Sequence, residues 1–174
     1  TFDALEAAAA RTARSMNAQN VANALWSYAT LAEAPARATL DALEAAAART
    51  ARSMVPQAVA NALWSYATLG KAPTRATLDA LEAAVVRVAR SADAQDVANA
   101  LWSYATLCEP PSQATYAALE AAVVRVARSM KPQEVANVLW SYATFGAAPG
   151  RATYDALEAA VGRLSSRLNA QDVA

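Results

Sequence analysis

Histidine is absent from the 174 residues, and with it go every His-based catalytic triad, most zinc sites and the commonest general base at neutral pH. A single cysteine, Cys108, excludes an internal disulfide and any multi-cysteine metal site. Glycine occurs only 4 times and β-rich stretches are scarce, while much of the 56% hydrophobic content is alanine, the best helix former. Net charge is lacking too: 15 basic residues balance 15 acidic ones, so no global field of either sign points to nucleic acid or to a basic partner. No apolar run reaches the roughly 18 residues a membrane span needs, because Arg, Glu or Asn interrupts each alanine-rich stretch. The expectation is an all-α chain with no membrane span, no metal, no cofactor and no enzymatic centre, since no Ser or Glu has an adjacent base, nucleophile or metal partner.

What is present is a repeat. Trp26, Trp64, Trp102 and Trp140 stand 38 residues apart, each inside the phrase Leu-Trp-Ser-Tyr-Ala-Thr. Glu6, Glu44, Glu82, Glu120 and Glu158 keep the same register inside Ala-Leu-Glu-Ala-Ala. The chain therefore divides as 1–38, 39–76, 77–114, 115–152 and a partial unit 153–174, one repeat array. Within a unit, residues 39–52 place Leu40, Leu43, Ala47, Thr50 and Met54 on one helical stripe and Asp41, Glu44, Arg49 and Arg52 on the other, which predicts a helix A. Helix B is expected to start at Pro56, as its counterpart does at Pro132, and to bury Val59, Ala60, Leu63, Trp64, Tyr66 and Ala67. Its end falls near Gly70, which like Gly146 sits where a left-handed cap is wanted, and Pro35, Pro73, Pro111 and Pro149 follow each helix B. Cys108 takes the place of Gly70 and Ala32, a small residue at a helix end.

Two helices of about 15 residues cannot enclose a core alone, so each pair must stack on its neighbours. The fold expected is a right-handed α-solenoid of helix-turn-helix repeats, with one row of A helices and one row of B helices. Phe2 and Leu5 keep the interior pattern at the start, and residues 170–174 begin another helix B, so the array reads as a fragment of a longer protein.

Comparison among the repeats separates what the scaffold requires from what is free to vary. The residue before helix B runs Asn17, Val55, Asp93, Lys131, Asn169, and the residue three places on runs Asn20, Ala58, Asp96, Glu134, Asp172. Side chains three apart share a side of a helix, so each repeat would present a variable pair able to face a base; the alternative is exchange among helix caps. Two arginine columns, Arg11, Arg49, Arg87, Arg125 with Arg163, and Arg14, Arg52, Arg90, Arg128, would track a phosphate backbone, or else pair with acids such as Asp3 and Glu6 of neighbouring repeats. The polar side of helix B is uncharged, with Gln57, Asn61, Ser65 and Thr68 repeated as Gln95, Asn99, Ser103 and Thr106. Hydrogen bonding across repeats or to helix ends is the expected role of its Asn column, with contact to base edges the alternative. For the tryptophans, packing between repeats is expected over base stacking.

A 38-residue helical pair whose second helix reads Met16-Asn-Ala-Gln-Asn-Val-Ala-Asn-Ala-Leu-Trp-Ser-Tyr-Ala-Thr-Leu31 resembles the octotricopeptide repeat, and the likeness runs the whole chain. Tetratricopeptide and pentatricopeptide units are shorter, and HEAT-type units less regular. Pro110 and Pro111 form the only proline pair where the family often carries Pro-Pro-Pro-x-Trp, and Phe2, Tyr116 or Tyr154 takes the aromatic position. The resemblance implies an organellar factor, chloroplast or mitochondrial, that binds single-stranded or ribosomal RNA in RNA maturation, stability or translation. The alternative is a structural scaffold that grips protein subunits of a large organellar assembly.

Overall fold

The computed structural model describes residues 2–165, with side chains from residue 6 onward. Asn169, Asp172, the helix expected at 170–174 and the side chains of Phe2, Asp3 and Leu5 lie outside the described residues. Within them the chain is all-helical. The A helices are α1 (Phe2–Thr12), α3 (Arg37–Thr50), α5 (Arg75–Val88), α7 (Gln113–Val126) and α9 (Arg151–Ser165); the B helices are α2 (Ala18–Thr30), α4 (Pro56–Thr68), α6 (Ala94–Thr106) and α8 (Pro132–Phe145).

Each helix packs against its counterpart in the next repeat, so contacts run from α1 through α3, α5 and α7 to α9, and from α2 through α4 and α6 to α8. Small side chains on both flanks of helix B, such as Ala58, Ala62, Ala98 and Ala100, are buried and let neighbouring B helices approach closely. Between the rows lie repeated core columns: Leu43, Leu81, Leu119 and Leu157 from the A helices, and Tyr28, Tyr66, Tyr104 and Tyr142 from the B helices, all buried. Leu40, Ala47, Thr50 and Met54 are buried as the helix A stripe requires.

Helix A ends in a single 3-10 turn, Ala13–Ser15, Ala51–Ser53 or Ala127–Ser129, after which Met16, Met54 or Met130 turns extended to lead into helix B. Helix B ends in a left-handed residue. Gly70 and Gly146 take positive φ there, 61° and 65°, as their identity allows; Ala32 and Cys108 take it at 54° and 55°, which strains an L residue by about 1 kcal/mol. Cys108 thus occupies a glycine position, with its thiol exposed.

The charged columns of helix A bind backbone rather than each other. The first peptide groups of each A helix are orphan donors at a positive dipole end, and Ala36 and Thr74 offer no capping side chain. The acceptor comes from the preceding A helix. Glu6 accepts from the Ala36 N–H at 2.6 Å, Glu44 from Thr74 at 2.7 Å, Glu82 from Ser112 at 3.1 Å and Glu120 from Gly150 at 2.6 Å. The hydroxyls of Thr77 and Thr115, one turn in, donate to Glu44 and Glu82 as well.

At the other end of helix A the logic is mirrored. Orphan carbonyls accept from a guanidinium of the following repeat: Arg49 donates to the Ala13 and Met16 carbonyls, Arg87 to Ala51 and Met54, Arg125 to Ala89 and Ala92, and Arg163 to Ala127 and Met130. Acid meets the positive end and base the negative end, the arrangement the helix dipole favours. Each interface between repeats thus carries one carboxylate and one guanidinium staple.

Candidate nucleic-acid interface

The arginine columns divide into two populations. Arg49, Arg87 and Arg125 hold the backbone of the preceding repeat, and Arg11 lies exposed at the end of α1. Arg14, Arg52, Arg90 and Arg128 are exposed at the A-to-B turn and have no intramolecular hydrogen bond or ion pair among the described residues. Arg87→Ala is expected to cost about 1–2 kcal/mol in urea unfolding, because two carbonyls lose their donor. Arg52→Ala should change stability by less than about 0.5 kcal/mol. Equal effects of the two substitutions would contradict this division.

The variable pairs solve one local problem by different chemistry. Asn17 accepts from the Asn20 N–H at 2.8 Å; Asp93 accepts from the Asp96 N–H at 2.8 Å while Asp96 accepts from the Asp93 N–H at 3.3 Å. Glu134 accepts from the Lys131 N–H at 2.8 Å. Val55 offers no cap, and Pro56 follows it at the first helical position, where no donor is required. The first member of each pair is exposed, but Ala58 and Glu134 are buried and Asp96 is half-buried. Burial pushes the Asp96 carboxyl above its ordinary range, and the Asp93 charge pushes the same way against the opposing Asp93 N–H hydrogen bond.

The structure brings the two arginine columns together but leaves the variable pairs apart from them. A groove of about 290 Å³ between α3 and α5 is lined by Arg52, Arg87 and alanines, and one of about 390 Å³ between α5 and α7 by Arg90, Arg125, Val86 and alanines. Neither has an acid in its lining. Asn17, Val55 and Ala58 line a separate groove of about 250 Å³ at the start of α2 and α4. The exposed aspartates near the start of helix A are tied to its own arginines, Arg37 to Asp41, Arg75 to Asp79 and Arg151 to Asp155, while Glu158 is exposed in the middle of α9.

The tryptophans correct the expectation that they pack inside. Trp26 and Trp140 are 45% and 46% exposed, and Trp64 and Trp102 are only half-buried, although Val59, Ala60, Leu63, Tyr66 and Ala67 are buried as expected. The indoles lie on the outer ridge of helix B with Gln, Asn and Thr at the spacing i, i+4, i+7, i+11: Gln57, Asn61, Trp64 and Thr68 in α4, and Gln95, Asn99, Trp102 and Thr106 in α6. All are at least partly accessible as residues, although the Thr106 hydroxyl itself is buried.

The Asn column also departs from expectation, because among the described residues its side chains make no hydrogen bond between repeats or to a helix end. Gln19 donates to Asn23 and Gln133 to Asn137 within their own helices, and the side chains of Asn61 and Asn99 have no partner among the described residues. Ser65, Ser103 and Ser141, which sit beside the ridge, are buried and donate back to the carbonyls of Asn61, Asn99 and Asn137. The ridge is thus uncharged, amide-rich and aromatic, with four repeats presenting the same four residues.

Residues 71–171, more than half of the chain, match the family described as Tbc2 translation factor, N-terminal domain. The chain belongs to that family. The Tbc2 match spans α5 to α9, hence the ridges of α6 and α8, the groove between α5 and α7 and two of the interfaces between repeats. A second match, to a family described as a protein of unknown function (DUF1601), covers residues 4–25 in α1 and α2. No individual curated protein matches the chain.

The signal that would have located this ridge was present in the sequence. A helix face without charge, repeated in four copies, has the chemistry of a contact surface rather than a solvated one. Structural hydrogen bonding is required only of buried polar groups, and these amides are accessible.

Proposed function

We propose that this chain is a right-handed α-solenoid of octotricopeptide type, a single array of repeats, that binds single-stranded RNA in organellar translation. The observation that carries the proposal is the helix B ridge, where each repeat presents one accessible indole and two side-chain amides in an acid-free line. Single-stranded RNA is recognised by stacking of splayed bases on aromatic side chains and by hydrogen bonds to base edges, which these groups supply. Arg14, Arg52, Arg90 and Arg128 are exposed at the A-to-B turn, with Arg52 and Arg90 lining the grooves between A helices, where they offer phosphates a basic surface separate from the ridge. Of the base-facing candidates, Val55 and Lys131 have side chains not engaged in capping, whereas Asn17 and Asp93 are held by N–H groups. The family description, a translation factor, supports a role in translation, and the octotricopeptide resemblance supports a chloroplast or mitochondrial setting.

The test is a fluorescence-anisotropy titration of a random-sequence single-stranded RNA pool at about 50 and about 200 mM salt. Binding should weaken steeply with salt. The double variant Trp64→Ala, Trp102→Ala is expected to lose about 10- to 100-fold in affinity with its helical circular dichroism intact. Absence of binding at the lower salt would sink the RNA reading. One observation favours a scaffold role instead: Val86 and Val124 are 42% and 41% exposed on the A row beside the alanine-lined groove, an apolar surface suited to a protein partner.

A further inference from the structure

We infer that the ridge reads the same base in every register, so that its preferred ligand is a single-stranded RNA tract of one repeated base rather than a mixed sequence. The inference rests on the RNA-binding reading above and names the ligand class for that surface.

The argument begins with what differs between repeats and where the fold places it. A helical reader that recognises a mixed sequence needs different side chains facing successive bases, as in repeat proteins that read one base per unit. Here the positions that differ are largely withdrawn from any ligand. Ala58 and Glu134 are buried, Asp96 is half-buried and capping, and the side chains of Asn17 and Asp93 accept from their own helix N-termini. Val55, Lys131 and Asn20 stay exposed at the start of their helices, but along the ridge itself the outward residues are invariant: Gln, Asn, Trp and Thr stand at the same four points of α2, α4, α6 and α8.

Geometry makes each of these points a separate register. Packed helices lie about 8–10 Å apart, whereas stacked bases rise only about 3.4 Å, so successive bases over neighbouring B helices cannot stack on one another. Each must be splayed out, with the indole replacing the lost stacking partner. Stacking itself tolerates any base. Selection falls to the amides, each of which offers one donor and one acceptor, as with Asn61 and Asn99, whose side chains are free of intramolecular partners among the described residues. The same amide stands at the same point of all four B helices, unpartnered in α4 and α6 and with its oxygen already accepting from Gln19 or Gln133 in α2 and α8, so the two free copies set the choice of base and the other two offer the same N–H donors. The exposed guanidiniums of Arg52, Arg90 and Arg128 complement the phosphates whatever the sequence.

The experiment compares oligo(A), oligo(C) and oligo(U) of about 12 nucleotides, long enough to pass every described repeat, with a shuffled oligonucleotide of mixed composition at one salt concentration. One homopolymer is expected to bind about tenfold or more tightly than the mixed strand, a discrimination that a few amide contacts can supply. The double variant Asn61→Ala, Asn99→Ala, with circular dichroism unchanged, should reduce that preference to about threefold or less while retaining most of the binding to the mixed strand. A mixed strand that binds as tightly as the best homopolymer overturns the inference and leaves RNA binding intact. Failure of every strand to bind overturns the RNA reading and the inference together.

Discussion

Replacing Glu82 with alanine is expected to lower the unfolding free energy by about 3 kcal/mol, a larger loss than at the other positions of its column. Glu82 is 5% exposed and accepts from the Ser112 N–H at 3.1 Å and from the Thr115 hydroxyl at 3.2 Å, with the Arg75 guanidinium at 3.5 Å. Alanine leaves the first donor of α7 without its acceptor and opens a void beside the fully buried Thr115. Thr115 keeps its bond to the Ser112 hydroxyl at 2.9 Å, and the burial cost of the carboxylate is relieved, which holds the loss near that figure. The exposed Arg75 contact contributes little. Glu82→Gln, which keeps an acceptor but not the charge at the helix dipole, should lose about 1–2 kcal/mol. Glu120→Ala, whose side chain is less buried and serves Gly150 alone, should lose about 1 kcal/mol. Urea unfolding measures all three. Because stability in a stacked array is a sum over interfaces, Glu82→Ala should also broaden or split the transition as the two sides uncouple. A loss under about 1 kcal/mol with an unchanged transition would show that the staple is dispensable.

Raising the pH above about 10 is expected to unfold the chain steeply, and the tyrosine column is the reason. Tyr66, Tyr104 and Tyr142 are buried, and their hydroxyls have no hydrogen-bond partner among the described residues. Burial raises all three above the ordinary tyrosine value of 10.0, and Glu44, Glu82 and Glu120 respectively push each further up. These groups stay protonated in the folded state at pH values where the unfolded chain has lost the same protons. With fewer protons bound to the unfolded state, stability falls as pH rises, by about 1.4 kcal/mol per pH unit for each tyrosine and about 4 kcal/mol per unit for the three. Below pH 10 the effect vanishes, since both states carry the proton. Absorbance of tyrosinate followed with circular dichroism checks this: ionisation of the column should coincide with loss of helix. Tyr104→Phe should remove about one third of the slope and leave stability at neutral pH unchanged or slightly higher, because an unsatisfied hydroxyl goes with it. Gradual ionisation with the helices intact would contradict the assignment.

How much of the candidate site could be read beforehand follows from the range of the interactions involved. Pro56 at the start of helix B, Gly70 at its left-handed end and the stripe from Leu40 to Met54 are matters of a few neighbouring residues, and the structure has them where the residue pattern places them. Trp64 was harder, because an aromatic at the edge of an apolar stripe turns inward or outward according to how closely the next helix approaches. The buried alanines of the B row bring those helices close and leave no interior space for an indole.

By itself the sequence determined the 38-residue period, the two helices of each unit, their caps and the apolar columns that oblige the units to stack, because backbone propensity and side-chain periodicity act locally. Only the tertiary structure decided where the charges go. Glu44 meets the backbone N–H of Thr74 at the start of the next A helix, 30 residues on, and Arg87 meets carbonyls 33 and 36 residues back. Helix phase shows that such side chains point away from the core, but not which orphan group of a neighbouring helix lies within their reach. The same packing set which positions a ligand could reach, burying Ala58 and Glu134 while leaving the Gln, Asn and Trp of each helix B at least partly exposed, since a position becomes accessible or buried only when the next repeat is in place.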